Sequence, residues 1–197
     1  MKTKILLNIL FFTLIVISGC GDKLPRTDAF ENENFQLVDQ NNKSVLFPDF
    51  AKGKISIVGY IFTNCPDICP LTTNNMRLIQ EKVKKEKIND VEFVSISFDP
   101  DTDTPEVLHK FAEIRNLDLS NWTFLTGEKI IVDSLIKKVG VFAVPGDSTV
   151  LKSGKTIYYY VHTDRIQLID KDGMTRKNYP GSKIDIDEII ADIKSLD

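Results

Sequence analysis

The chain has 197 residues, 42% hydrophobic and 27% charged, with 10 glycines, 8 prolines and 3 cysteines. These values exclude a collagen-like, low-complexity or wholly disordered chain, and three cysteines are too few for a disulfide-built scaffold. The formal charge is −3 and no block of lysine or arginine stands out, so no nucleic acid is expected as a partner.

Met1–Lys4 carries two lysines, and residues 5–17 are apolar except for Asn8 and Thr13. A charged start followed by a short apolar run reads as a secretory signal, because a membrane span needs about 20 apolar residues. The run closes on Ile17-Ser18-Gly19-Cys20, which resembles the bacterial lipobox. That resemblance implies removal of residues 1–19 as a lipoprotein signal peptide and a diacylglycerol on Cys20. The domain would then be exported and held at a bacterial membrane by lipid, on the extracytoplasmic side. A plain cleaved signal, or an uncleaved anchor helix, is the competing reading. Residues 20–34 are polar without periodicity and read as a lipid-anchored flexible tether, which leaves 35–197 as the domain.

Phe35–Asp39 and Ser44–Phe47 flank Gln40-Asn41-Asn42-Lys43, a short hairpin. Residues 54–62 and 91–98 are β-rich apolar runs without clean alternation, which fits central strands covered on both faces. Residues 71–87 predict a helix. Thr104-Pro105-Glu106 opens a second helix, with Thr104 as N-cap and residues 107, 108, 111, 112 and 114 as its apolar side. A short strand falls within 121–126, and a helix over 128–139 stops at Gly140. Residues 144–155 read as a loop. Strands follow at 158–162 and 165–170, with a turn at Lys171-Asp172-Gly173, and 185–196 is the closing helix. Alternating β and α with an added hairpin predicts an α/β fold: a mixed central sheet flanked by helices, with an added N-terminal β-hairpin.

The chemistry concentrates in Phe62-Thr63-Asn64-Cys65-Pro66-Asp67-Ile68-Cys69-Pro70, between a buried strand and a helix. In α/β sheets ligands gather at the carboxyl ends of strands, and a helix N-terminus favours thiolate over thiol. Pro70 suits a first helical position, which would make Cys69 the N-cap and the cysteine segment a tight loop. Such a pair can close a disulfide or turn two thiolates toward one soft metal ion. A metal needs a further ligand, and the chain has two histidines. His109 sits among charged residues and reads as a solvated surface residue. His162 ends the run Tyr158-Tyr159-Tyr160-Val161, where it is either a half-buried strand-end histidine or a third ligand. Two cysteines and one histidine suit Cu(I), and a Cu(II) centre also forms on such a set; structural zinc usually closes with four ligands. Asp99-Pro100-Asp101-Thr102-Asp103 starts like a calcium loop, but Thr104 and Lys110 stand where glycine and glutamate are required, so the segment reads as a turn with a helix cap.

FTNCPDICP at 62–70, SFDPDTDTPEVL at 97–108, VHTDRIQLIDKDG at 161–173 and FQLVDQNNKSV at 35–45 resemble the Sco/SenC family of copper proteins. The resemblance covers about residues 35–196. It implies a thioredoxin-like fold and a copper ion, Cu(I) or Cu(II), held by Cys65, Cys69 and His162. It implies a metallochaperone that assists assembly of the copper centre of cytochrome c oxidase, with that oxidase's copper-site subunit or another copper protein as partner. The alternative is a thiol–disulfide oxidoreductase in which Cys65 and Cys69 are redox-active toward partner cysteines and are recharged by a thiol reductant. The C-x-x-x-C spacing departs from the C-x-x-C of dedicated thioredoxins, which weighs against plain exchange.

Overall fold

The structure, a computed structural model, describes residues 24–27, 30, 33–150 and 156–196. The apolar leader and Cys20 lie outside the described residues. No helix among the described residues is long and apolar enough to cross a membrane.

Among the described residues, nine strands and four α-helices follow one another as β1 (Phe35–Asp39), β2 (Ser44–Phe47), β3 (Ile55–Ile61), α1 (Ile68–Lys85), β4 (Val91–Ser97), α2 (Pro105–Ile114), β5 (Trp122–Thr126), α3 (Lys129–Lys138), β6 (Ala143–Val150), β7 (Thr156–His162), β8 (Ile166–Ile169), β9 (Thr175–Tyr179) and α4 (Ile186–Lys194). Seven strands form one mixed sheet in the order β2-β1-β5-β4-β3-β8-β9, and β6 and β7 form a separate two-stranded sheet. The centre is parallel: β3 runs beside β4 from Ile55↔Val91 to Ile61↔Ser97, and β4 beside β5. Every residue of β3 and β4 is buried, as expected of strands covered on both faces. At Gly59 of β3 helix α1 approaches the strand tightly: a Cβ there would lie 2.5 Å from Met76 Sδ. That close approach sets the height of the helix whose first turn carries Cys69.

Several segments take a form that the sequence did not indicate. Residues 143–150 form strand β6 rather than a loop. They pair antiparallel with β7, and Pro145-Gly146 falls at a register shift, where an irregular ladder tolerates both residues. The segment expected as a tether packs on the domain in part. Leu24 and Phe30 are buried, and Phe30 lies edge-on to Phe47 at 5.2 Å. Thr27 N donates to Thr175 O at 2.9 Å, and buried Arg176 donates to the carbonyls of Leu24 and Pro25. The polar segment TRKNY is β9, because it completes the ladder on β8 across the Lys171–Gly173 turn. On α2 the buried side is Leu108, Phe111 and Ala112, whereas Ile114 is 65% exposed.

Candidate metal centre

Buried strand β3 ends at Ile61, and the chain turns through Thr63 and Asn64 into the cysteine segment. Helix α1 begins at Ile68 with Asp67 as its N-cap, two residues earlier than Pro70 suggested. Cys69 is therefore the second helical residue and not the cap. A proline at the third position forfeits only an amide that has no partner inside the helix, so it does not delay the start. The orphan amide of Cys69 is used instead: it donates to Cys65 Sγ at 3.4 Å.

His162 reaches the same point from β7. Its Nε2 lies 3.8 Å from Cys69 Sγ, and its Nδ1 lies 3.1 Å from Thr163 O. A carbonyl can only accept, so Nδ1 carries the proton in that contact and the ring is turned with Nε2 toward the sulfurs. One ligand atom from each of Cys65, Cys69 and His162 lies within 4.8 Å of the other two. The thiols are unbridged, with Cys69 buried and Cys65 half-buried. A cleft of about 330 Å³ opens beside Cys65 and His162, lined also by Phe62, Pro66, Ile68 and Tyr160, with Cys69 buried behind it.

The two thiols share a proton unequally. The Cys69 thiol donating to Cys65 Sγ holds Cys65 down at about 3, against burial and with help from His162 and the amides of Cys69 and Asp67. The same bond, then burial, pushes Cys69 up. Burial pulls the His162 imidazole down, but the bonds to Cys65 and Thr163 outweigh it and the group is raised overall. The pair thus holds one thiolate and one thiol, with an imidazole beside the thiolate.

His109 is exposed on α2, as expected. The Asp99–Asp103 segment does more than turn the chain and cap a helix. Thr104 does cap α2, accepting from Val107 N at 3.4 Å. But Asp103 is fully buried and accepts from Thr63 N at 3.0 Å and from the hydroxyls of Thr63 and Ser97. It ties the turn before Cys65 to the end of β4. Burial pushes its carboxyl up, opposed by those bonds. Asp99, also buried, accepts from the hydroxyls of Tyr158 and Tyr160 on β7. The signal was available: these acids follow a strand parallel to β3, so they emerge on the edge that carries the cysteines.

The SCO1/SenC family model matches residues 24–196. The SCO1 protein homolog of Bacillus subtilis is 34% identical over 187 residues, which cover 94% of this chain and 92% of that protein. A SCO1/SenC family lipoprotein from Bacillus anthracis superposes with a TM-score of 0.72 at 34% identity, covering 88% of this chain and 97% of its own. The copper-bound ScoI of Bradyrhizobium japonicum gives 0.68 at 29% identity over 83% and 97%. BsSco, a member of the Sco family of cytochrome c oxidase assembly proteins in which a disulfide switch was identified, gives 0.70 at 32% identity over 88% and 96%. The mixed sheet flanked by helices is the thioredoxin-like fold of these structures, as the sequence led us to expect. Matched along nearly its whole described length, this chain belongs to the SCO1/SenC family.

Proposed function

We propose that the chain is a membrane-anchored copper metallochaperone that assists assembly of the copper centre of cytochrome c oxidase, with Cys65, Cys69 and His162 as the copper ligands. The observation that carries this reading is the convergence of two sulfurs and one imidazole nitrogen within 4.8 Å, with Cys65 and His162 lining an open cleft. Ligand separations of that size are close to the sum of two metal–ligand bonds of about 2.0–2.3 Å each. Thiolate and imidazole are donors that suit Cu(I) and also accept Cu(II). Copper is the metal bound in the Bradyrhizobium relative, and oxidase assembly is the work ascribed to the family of BsSco.

Copper enters as cargo. Cys65 offers a thiolate already formed, Cys69 gives up its proton on binding, and His162 keeps its Nδ1–H on Thr163 O while offering Nε2. Release is ligand exchange: thiolates of the oxidase copper-site subunit, or of another copper protein, replace these ligands one at a time. Lipid on Cys20 holds the domain on the extracytoplasmic side, supported by the lipobox-like Ile17–Cys20 and by the Bacillus anthracis relative being a lipoprotein. Loss of lipid labelling in Cys20→Ser, with the protein then released from the membrane, checks this.

A second reading is favoured by the depressed Cys65 thiol. Its thiolate attacks a partner disulfide and expels one partner sulfur. Cys69, its proton passing to the first expelled sulfur, then attacks the Cys65 sulfur and displaces the other, leaving a Cys65–Cys69 disulfide and a reduced partner whose second sulfur takes any further proton from water. A thiol reductant restores the pair.

The test loads the reduced protein with Cu(I) anaerobically and competes it with a strong chelator, beside Cys65→Ser, Cys69→Ser and His162→Ala. Retention of about one copper per chain, weakened by each substitution, supports the chaperone. If the chelator strips the wild type as readily as the variants, the copper reading fails. Exchange leads if His162→Ala leaves both dithiol reactivity and oxidase assembly intact.

A further inference from the structure

The three candidate ligands are carried by two separate pieces of structure. Cys65 and Cys69 follow β3 in the central sheet, whereas His162 ends the β6–β7 hairpin, which shares no ladder with that sheet. Backbone pairing sets where Ile166 enters the central sheet, opposite Gly59 and four residues beyond His162, but not the height and tilt of the hairpin itself. Something else must.

Along β7 successive side chains alternate faces, so Tyr158, Tyr160 and His162 share one face and Tyr159 and Val161 the other. Tyr159 and Val161 are 46% and 61% exposed. The inward face packs on Phe62 and Phe98, the residues that follow β3 and β4. The Tyr160 ring lies 5.1 Å from Phe62 and 5.3 Å from Phe98, and the His162 ring 5.0 Å from Phe98. These edge-on and tilted ring contacts carry no directed bond, so they do not by themselves set a register. Directed bonds do. Asp99, on the rigid end of β4, accepts from Tyr158 Oη through one carboxylate oxygen and from Tyr160 Oη at 3.3 Å through the other. Tyr158 Oη also lies 2.7 Å from Thr102 Oγ1 and receives Asn64 Nδ2 at 3.5 Å, one residue before Cys65. Beyond His162, Asp164 fixes the exit of the hairpin by accepting from Thr72 Oγ1 and from Ser182 N and Oγ.

We propose that Tyr158 and Tyr160 are positioning residues: their hydroxyls, held by the two oxygens of Asp99, set the height and tilt of β7 and so deliver His162 Nε2 to the two sulfurs. The proposal rests on the reading of Cys65, Cys69 and His162 as a metal site. It differs from a packing role because the rings alone would serve packing, whereas positioning needs the hydroxyls.

The test uses Tyr158→Phe, Tyr160→Phe and the double variant, which keep every ring. The first readout is metal-free. In the full-length protein the imidazole proton signals of His162 carry ring-current shifts from Phe98 and Phe62, and exposed His109 serves as internal reference. Loss of the hydroxyls moves the His162 signals toward those of His109. The second readout is Cu(I) retention against a chelator, made in the wild-type and His162→Ala backgrounds. The double variant loses about tenfold in retention when His162 is present and nothing when it is absent, the size expected for residues that orient a ligand. Unmoved His162 signals overturn the proposal whether or not copper binds, and so does an equal copper loss in both backgrounds. If the wild type itself retains no copper, the metal reading falls while the metal-free readout still decides the positioning. Should the double variant fail to fold, either single variant reads the same two observables.

Discussion

Strands β3 and β4 bury all seven of their residues, and β3 is hydrogen-bonded on both sides, to β4 and to β8. In the β6–β7 hairpin, by contrast, no residue of β6 is fully buried, and among the described residues the two strands pair only with each other. The cysteines belong to the first region and the histidine to the second. Two of the proposed ligands thus follow the central frame, and the third sits on an arm held by side chains. In the proposed metal site the histidine would be cheaper to displace than the cysteines, which would suit a cargo that must be handed on.

Amide hydrogen exchange is the measurement that breaks this contrast most directly. Amides of β6 and β7 should exchange about a thousandfold faster than those of β3 and β4, a gap of roughly 4 kcal/mol in opening free energy. Equal rates would make the hairpin part of the same cooperative unit. Next in size is Arg176→Met. Arg176 pairs with Asp170 at 2.9 Å with both side chains almost wholly buried. Removing the cation leaves a buried carboxylate short of its partner and should cost about 3–5 kcal/mol in urea unfolding. Copper stoichiometry of the folded protein should be unchanged, because this pair lies at the far end of the sheet.

Asp103→Asn probes the link between the frame and the cysteine turn. An amide cannot accept all the donors that now converge on the carboxylate, so the loss near neutral pH should be about 1–3 kcal/mol. Burial raises the folded-state pKa of Asp103 above its unfolded value, so the folded protein binds the proton more readily. Its stabilising share is fully present below the unfolded pKa and is lost as pH rises through the folded one. The wild type should therefore gain on the Asn variant as pH falls, and a flat difference would refute the assignment. The smallest effect is expected for Val161→Ser on the outer face of the arm. At 61% exposure the change should stay within about 0.5 kcal/mol in thermal melting. A larger loss would mean that this face is not the open one.

The frame was legible in the sequence and the arm was not. Ile55–Ile61 and Val91–Ser97 read as central strands because burial on both faces leaves an unbroken apolar run. Ala143–Val150 has no such signature: it is exposed and contains Pro145 and Gly146, and its strand conformation comes from β7 alone. Leu24 and Phe30 are single apolar residues in a polar stretch, and only the tertiary structure says that they are buried. The cysteine segment stood out by residue type, and the structure brings His162 to it from 93 residues away. Asp99 and Asp103 looked like ordinary turn acids. Most of the donors that occupy them, Thr63, Tyr158 and Tyr160, lie 40 to 61 residues distant, beyond the reach of any local pattern.

The packing of Leu24 also bears on where the site would stand above a lipid surface. Leu24 is held by Arg176, between Thr175 and Lys177, which pair with Ile169 and Leu168. Those two face Ser56 and Ile57, at the start of β3, whereas Cys65 follows its end. From Cys20 to Leu24 a fully extended chain spans about 14 Å, and the seven residues of β3 add about 20 Å more. With lipid on Cys20, the domain would stand close to the bilayer on a short leash, its cleft turned outward at the opposite pole. A recipient would then have to present its own cysteines at that elevation, out in the aqueous phase and clear of the headgroups.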